Sequence, residues 1–403
     1  LFDADQDADL DLYVVSGGND RLKPSTYYQD RLYIQTSEGF VKSKEALPEI
    51  LASGSTVIPA DYDKDGDLDL FVGGRIIPGQ YPYPAQSYLL RNEGGKDGEL
   101  RYKNVSDELL VQLKGLGLVT SALWDDFDED GNIDLVICGE WMSPRFFRYT
   151  GKGFEDFSPQ TGLGKHIGWW YSLQKADIDG DGDMDYIAGN LGLNYKYKAS
   201  VEKPFEIYVN DFDENGKEDI VLSYETSGKK VPLRGRECSS QQVPAIKMRF
   251  QTFELFADAS LADIYGQSML DESLHYAATT FAHAWFENKG AGKFELHQLP
   301  TGAQFSAINA IEVFDYNQDQ IPDILLAGNL YQAEVETPRA DAGTGLVMTG
   351  SSPHEFELLS AGETALFLEG EVKDIQTIRL ANGRKGFLIA RNDLPLQLLG
   401  LEP

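Results

Sequence analysis

The sequence predicts an all-β fold, a β-propeller of seven blades with a partly helical insertion. Six blades result if one repeat belongs to an irregular blade. Three observations predict it. A nine-residue acidic pattern, Asp-x-Asp/Asn-x-Asp/Asn-x-x-x-Asp, occurs six times in 403 residues. A short apolar run follows every copy at once. Aromatic stretches joined by Gly/Asn turns recur between the copies.

The acidic copies are DADQDADLD, DYDKDGDLD, DFDEDGNID, DIDGDGDMD, DFDENGKED and DYNQDQIPD. Alternate residues of a tightly curled loop point inward together, so oxygen ligands at positions 1, 3, 5 and 9 converge. The expected sets are Asp3, Asp5, Asp7 and Asp11; Asp61, Asp63, Asp65 and Asp69; Asp126, Asp128, Asp130 and Asp134. They continue with Asp177, Asp179, Asp181 and Asp185; Asp211, Asp213, Asn215 and Asp219; Asp315, Asn317, Asp319 and Asp323. No His or Cys lies in any loop. Oxygen-only donors suit Ca²⁺, up to six structural ions here, with Mg²⁺ second because it retains more water. An EF-hand loop closes with a Glu at position 12 between helices, whereas these close at position 9 between strands. Gly66, Gly131, Gly182 and Gly216 stand at position 6, where the chain turns sharply. Ala8 and Gln320 stand there in the first and sixth loops, which predicts strain at those two sites.

The runs after the loops are LDLYVVSGG, LDLFVGG, IDLVICG, MDYIAGN, EDIVLSY and PDILLAGN. They are too short for typical helices and suit strands buried on both faces. Gly17, Gly73, Gly139, Gly189 and Gly328 close five of them. Hairpins follow from Tyr33 to Phe40, Phe146 to Phe154 and Trp285 to Phe294, where Gly-rich turns separate aromatic runs. Successive loops start 58, 65, 51, 34 and 104 residues apart, mostly one four-stranded blade plus a connection. A last unit (VKDIQTIRL, GRKGFLIARN, LPLQLLGL) keeps the strands and loses the acidic loop. One propeller domain over 1–403 is expected, its first blade completed by upstream sequence, with an insertion at 226–280.

The loops and their flanking runs resemble FG-GAP/VCBS repeats, known from the integrin alpha-chain head, over nearly the whole chain. PLRGRECSSQQVPAIKMRF (Pro232 to Phe250) and the ending FLIARNDLPLQLL are similar to large surface-anchored proteins of Bacteroidetes, related to the cartilage acidic protein family. The resemblance implies the propeller fold and calcium more firmly than any activity.

Composition bounds the partners. The formal charge is −30, and 22 of the 65 acidic residues are loop ligands; six divalent ions would bring the total to −18. No basic stripe offers counterion release, so nucleic acid is excluded as a partner. No 18-residue apolar stretch spans a membrane. Cys138, in an apolar run, reads as a small buried residue, 100 positions from Cys238. Calcium loops of this affinity class imply an extracytoplasmic setting, cell-surface or secreted, with an outer-membrane anchor expected in upstream sequence of a longer polypeptide.

The insertion concentrates positive charge at Arg234, Arg236, Lys247 and Arg249. Such side chains recognise carboxylates of uronic acids or acidic peptides, or else fasten the insertion down. QTFELFADASLADIYGQSML is expected to be helical, burying Phe253, Phe256, Leu261, Ile264 and Tyr265. Trp169 and Trp170 offer a sugar-stacking platform or, on their alternation, core packing. His166, His275, His283, His297 and His354 share no spacing, and no nucleophile, zinc or phosphate-loop signature occurs. The leading expectation is a calcium-stabilised binding or adhesion module for a glycan or protein ligand. A polysaccharide lyase or hydrolase, and a structural subunit of a surface complex, are the alternatives. The sequence names no catalytic set.

Overall fold

The computed structural model describes residues 1–21, 25–94, 100–333, 337–352 and 355–400. The chain forms two compact units, one of Leu1–Gly164, Trp169–Asn194 and Ala282–Pro403, the other of Lys165–Gly168 and Tyr195–Phe281. Seven antiparallel sheets of three to five strands hold the described strands.

Six sheets belong to the first unit. The first has Leu12–Val14, Arg31–Ile34 and Val41–Lys42; the second has Ser53–Ala60, Asp69–Ile76, Tyr88–Asn92 and Tyr102–Asn104. The third is built on Leu118–Asp125, Asp134–Met142, Arg145–Tyr149 and Phe154–Asp156. The fourth has Ser172–Ala176, Asp185–Gly189, Ala284–Asn288 and Phe294–Gln298, and the fifth Ile308–Phe314, Asp323–Gly328, Leu346–Ser352 and Glu355–Leu359. The sixth has Val372–Arg379, Lys385–Arg391 and Gln397–Gly400. Within each, consecutive strands are up-and-down neighbours, because Gly/Asn turns reverse the chain, except between the second and third strands of the fourth sheet. Thr150 N–H bonds the Gly153 carbonyl at 2.9 Å across one such turn, and Gly290 N–H bonds the Asn288 side chain at 3.0 Å in another.

Consecutive sheets of this unit pack face to face through apolar clusters. Phe71, Leu89 and Tyr62 of the second meet Val119, Leu135 and Phe147 of the third. Val136 and Phe146 meet Tyr186 and Phe286 at the next interface, and Ile187 and Trp285 meet Ile324 and Met348 at the one after. Each fully buried aromatic contributes about 1.5–3 kcal/mol by leaving water, so these faces dominate the unit's stability. The second strands of the third, fourth and fifth sheets, Asp134–Met142, Asp185–Gly189 and Asp323–Gly328, are buried along their whole length, which explains why they lack polar alternation.

A second device joins the sheets. The first strands of the second to fifth sheets each carry a polar side chain that donates to the main chain of the next sheet or the segment leading into it. Ser55 Oγ donates to the Val119 carbonyl (2.7 Å), Thr120 Oγ1 to that of Trp170 (2.6 Å), Ser172 Oγ to that of Ile308 (3.0 Å) and Asn309 Nδ2 to that of Val372 (2.9 Å). The backbones approach so closely that the glycines closing the second strands have no room for a side chain. A Cβ on Gly328 would lie 1.9 Å from the Ala307 carbonyl oxygen, and one on Gly189 would lie 2.3 Å from that of Ile308.

The second unit falls in the chain between the second and third strands of the fourth sheet. It contains its own sheet, in which Phe205–Asn210 pairs with both Asp219–Thr226 and Leu274–Ala278, and Lys229–Pro232 forms the far edge. The fifth acidic loop therefore sits in this unit. Its 34-residue spacing reflects a chain that leaves the fourth sheet before finishing it.

The helical part of this unit differs from the expected continuous helix. Three helices of five residues cover Phe253–Ala257, Leu261–Tyr265 and Gln267–Asp271, preceded by Arg236–Gln242 and Ala245–Arg249. Ser260 and Asp263 form a reciprocal capping box that restarts the chain, and Gly266, at φ 85°, breaks it again. Phe256, Leu261, Ile264 and Tyr265 are buried with Val243 and Ile246. Phe253 is 65% exposed, against expectation, because it begins a one-turn helix and faces outward under the Arg236 guanidinium, 5.3 Å from its ring. Cys138 is buried as expected.

Gly328→Ala should lower stability by roughly 3 kcal/mol through overpacking. Gly164→Ala, with nothing within 4 Å of the added methyl, should be nearly neutral. Urea midpoints of the two variants check this.

Candidate metal centres

Every acidic loop bridges the first and second strands of a hairpin, and the register fixes both ends. Ala60 pairs with Asp69, Asp125 with Asp134, Ala176 with Asp185, Asn210 with Asp219 and Phe314 with Asp323. Position 9 is thus the first residue of a buried strand. In the first loop an isolated bridge between Phe2 and Asp11 does the same.

Inside the loop, position 1 organises the turn. Its two carboxylate oxygens accept the N–H groups of positions 5 and 6, as in Asp7 and Ala8 to Asp3 (3.2 and 3.0 Å) and Asp65 and Gly66 to Asp61 (both 3.1 Å). Asp211 and Asp315 repeat the pattern. Position 5 accepts the N–H of position 7, as Asp130 does from Asn132 at 2.8 Å. These bonds curl the chain through two left-handed residues. Position 4 has φ 63° at Lys64 and 59° at Glu129, and position 6 has φ 99° at Gly66 and 88° at Gly131. Ala8 (φ 74°) and Gln320 (φ 70°) adopt the same conformation with a Cβ, so the strain expected at those sites is present.

Position 9 ties the loop to the rest of its sheet. Its Oδ1 accepts an N–H from the third strand: Gln35 to Asp11, Asn92 to Asp69, Tyr149 to Asp134, Asn288 to Asp185 and Gly350 to Asp323, at 2.7–3.0 Å. In four loops Oδ2 of position 9 accepts the N–H of position 2, from Ala4, Ile178, Phe212 and Tyr316 at 2.6–3.3 Å. Carboxylate oxygens of positions 1, 3 and 9 lie within 4.8 Å of one another in the first four loops. The Oδ2 atoms of Asp69 and Asp134, and the Oδ1 atoms of Asp63, Asp126 and Asp213, are buried without a hydrogen-bond partner. Burial pushes the Asp69 and Asp134 carboxyls up to about 8, Asp185 to about 7 and Asp219 to about 6, with neighbouring carboxylates adding repulsion. Buried, unpaired and mutually repelling oxygens are what a bound cation satisfies, and the residues present fit an oxygen-liganded divalent ion. Positions 1, 3 and 9 form the inner triad, while position 5 is engaged in the turn.

Neighbouring loops also touch, which the sequence did not signal. Gln6 Nε2 donates to the Gly66 carbonyl at 3.0 Å, and Lys64 Nζ to that of Gly131 at 2.7 Å. The position-4 side chain of one loop thereby reaches position 6 of the next, and the first three loops line one rim of the first unit.

The other site expectations fare differently. Trp169 and Trp170 are buried, Trp169 edge-on to Trp141 at 5.0 Å and Trp170 to Phe286 at 5.5 Å. They are core residues and offer no sugar platform, since a stacking face requires solvent. Arg236 is buried too, its guanidinium bonded to the Phe250, Lys247 and Gln251 carbonyls and to Glu237. It closes its own helical segment. Lys247 pairs with Glu237 at 3.2 Å, Arg249 lies over Phe250, and Arg234 is half-buried. His275 pairs with the buried Glu206 at 2.9 Å and His297 with the buried Glu287 at 2.8 Å. His354 lies outside the described residues. Glu287, Glu295 and His297 also come within 4.8 Å of one another, but Glu287 is held by His297 and Lys289.

Residues 3–72 and 126–188 match the FG-GAP-like repeat family. The fold is a repeat β-propeller. Among solved structures, BBS1N in complex with ARL6DN is similar over 97% of this chain and 96% of its own, at 11% identity and a TM-score of 0.32. The biofilm matrix protein Bap1 of V. cholerae is similar over 100% of this chain and 87% of its own, at 9% identity and a TM-score of 0.32. No curated protein matches the chain significantly. No helix among the described residues is long and apolar enough to cross a membrane.

Two predictions test this geometry. Ala8→Gly and Gln320→Gly should each raise stability by about 1 kcal/mol by relieving left-handed strain, and Gly131→Ala should lower it similarly; urea midpoints measure both signs. His283 accepts the Asn190 N–H at Nδ1 (2.8 Å) and pairs with the Ser306 carbonyl through Nε2 (2.9 Å), so the fold holds it neutral. Burial lowers it from 6.5 to about 4. The unfolded chain binds the extra proton first, so the share of stability that rests on His283 should fall as pH drops from about 6.5 towards 4, against the opposite trend of the raised loop carboxyls. Ring NMR shifts should show His283 neutral until near pH 4.

Proposed function

We propose that this chain is a calcium-binding β-propeller working outside the cytoplasm as a binding or adhesion module. The observation that carries the calcium reading is the set of buried, unpartnered carboxylate oxygens of Asp126 at position 1, Asp63 and Asp213 at position 3, and Asp69 and Asp134 at position 9. Hard oxygens alone, several per loop, favour Ca²⁺ over softer-liganded metals. The proposed ligands are the loop residues at positions 1, 3, 5 and 9, with Asp3, Asp61, Asp126, Asp177, Asp211 and Asp315 opening the sites. Calcium would neutralise the inner carboxylates and so join three strands, because position 9 already grips the third strand through its other oxygen. Its role is structural, and the extracytoplasmic setting follows from the calcium such sites require. The resemblance to surface-anchored repeat proteins agrees with that setting.

The ligand itself is proposed to be a protein. Met248, Phe253 and Leu255 of the second unit are 74%, 65% and 54% exposed. Apolar side chains exposed on two short helices consecutive in the chain suit a protein surface better than a hydrated glycan. The arginines expected to hold a uronate are partly consumed within the segment, which weakens the glycan alternative. No described cluster pairs a nucleophile with a base, so no observation favours the lyase or hydrolase alternative.

Chelation should lower the melting temperature substantially, by on the order of 10 °C or more, with recovery on adding calcium but not equimolar magnesium. An unchanged melting curve after exhaustive chelation would sink the calcium reading. Asp134→Asn sharpens the test. With calcium it should destabilise by about 1–3 kcal/mol; in chelator it should be neutral or stabilising, because the amide does not carry the cost of a carboxyl that burial and neighbouring carboxylates disfavour. The two signs are read from calorimetry of both proteins with and without metal.

A further inference from the structure

We propose that the second unit carries a binding pocket for an anionic sugar, a pyranose bearing a carboxylate or sulfate group, between residues 195–205 and one face of the unit's sheet. The pocket has a volume of about 390 Å³, and Lys196, Lys198, Lys203, Phe205, Tyr224 and Leu233 stand in its lining. That volume falls within the range of small-ligand sites. The segment reads YKYKASVEKPF, three lysines against one acidic residue, in a chain with 65 acidic and 35 basic residues. The arginines of the insertion and the exposed Met248, Phe253 and Leu255 lie outside this lining, so the pocket is a separate feature of the unit.

Local structure places these side chains. In the sheet of this unit Ile207 is registered on Leu222 and Glu206 on Ser223. Side chains alternate along a strand, so Phe205 and Tyr224 share the face of Ile207 and Leu222, opposite Glu206 and Ser223. The Tyr197 ring stacks on that of Phe205, 4.5 Å away and 20° from parallel, and Tyr197 is buried. Seating Tyr197 on the sheet leaves Lys196 and Lys198, on either side of it, exposed. A tight turn then reverses the chain. Ser200 N–H donates to the Lys203 carbonyl and Lys203 N–H to Ser200 Oγ, both at 3.0 Å. The turn returns Lys203 to the same pocket, where its Nζ lies 3.6 Å from Glu225. Three ammonium groups thus stand against one carboxylate among the described lining residues.

The lining selects the occupant by combining two surfaces. A pyranose has an apolar C–H face and polar groups around its edge. Tyr224, 36% exposed, and Phe205 offer aromatic surface to that face. The lysines around them are point charges, which take a carboxylate or a sulfate without the planar geometry a guanidinium imposes. A neutral sugar would use the aromatic surface and not the charge. A run of aspartates would use the charge and not the aromatic surface. An anionic sugar uses both.

The test uses the 403-residue protein, with calcium present, and titrates three sugars by calorimetry: trigalacturonate, its carboxyl-reduced neutral counterpart and a sulfated chondroitin disaccharide. Saturable binding of an anionic sugar is expected, and the tighter of the two identifies carboxylate or sulfate as the group recognised. The neutral trisaccharide should bind about tenfold more weakly, and Lys198→Gln and Tyr224→Ala should each weaken the anionic sugar about fivefold. Lys247→Gln, which removes a lysine paired with Glu237 outside the pocket, should leave binding unchanged. Loss on Lys198→Gln also separates this pocket from sugar bridged by calcium to the acidic loops. The substituted side chains are exposed, and unchanged melting temperatures show that the variants fold. No binding of either anionic sugar at millimolar concentration, equal binding of the neutral one, or unaltered binding by Lys198→Gln overturns the proposal. So does displacement of the sugar by a lower concentration of tetra-aspartate, since the occupant would then be an acidic peptide. The calcium reading is tested separately, by the melting curves.

Discussion

The structure depends on one buried aspartate per acidic loop, the residue at position 9. It opens the second strand, holds the third strand by one oxygen in five of the six loops, and in four loops holds the N–H of position 2 by the other. Three strands of a sheet are thus tied through a single side chain. Asp69 and Asp134 show the tension in this arrangement. Each is fully buried, each has one oxygen without a partner, and burial raises each to about 8. A carboxylate in that position is a liability without a cation and a fastener with one.

The remaining architecture protects that arrangement. Apolar clusters between consecutive sheets supply most of the burial, and bonds such as Thr120 to the Trp170 carbonyl hold neighbouring first strands in fixed register. The glycines closing the second strands permit the close approach. Contacts between loops, from Gln6 and Lys64, connect adjacent sites along the rim. The first unit thus has its variable chemistry at the loops and its stability in the faces. The second unit reverses this balance: its sheet retains one acidic loop, while its short helices present apolar side chains to solvent.

The acidic loops were legible in the sequence because their geometry is short-range. Nine residues contain both the carboxylates and the N–H groups that curl around them, and the apolar run next door announces a buried strand. Strain at Ala8 and Gln320 was legible for the same reason. Trp169, Trp170, Phe253 and Arg236 were less so. An aromatic pair reads alike as platform or core until the sheet behind it is placed. A buried arginine is recognised only once carbonyls such as that of Phe250 are brought to it.

The sequence by itself determined the repeat, the strands, the oxygen-only loops and the residues that would hold a metal, since each depends on neighbours within about one hairpin. Tertiary structure alone decided that the fifth loop belongs to a separate unit, because the fourth sheet pairs Asp185–Gly189 with Ala284–Asn288 across the inserted residues. It also decided which loop side chains are covered. Tyr62 and Tyr316 occupy the same motif position, yet one is enclosed by an aromatic from a following fourth strand and the other borders a cavity. That difference comes from strand pairing between distant segments, which the local pattern around either tyrosine does not encode.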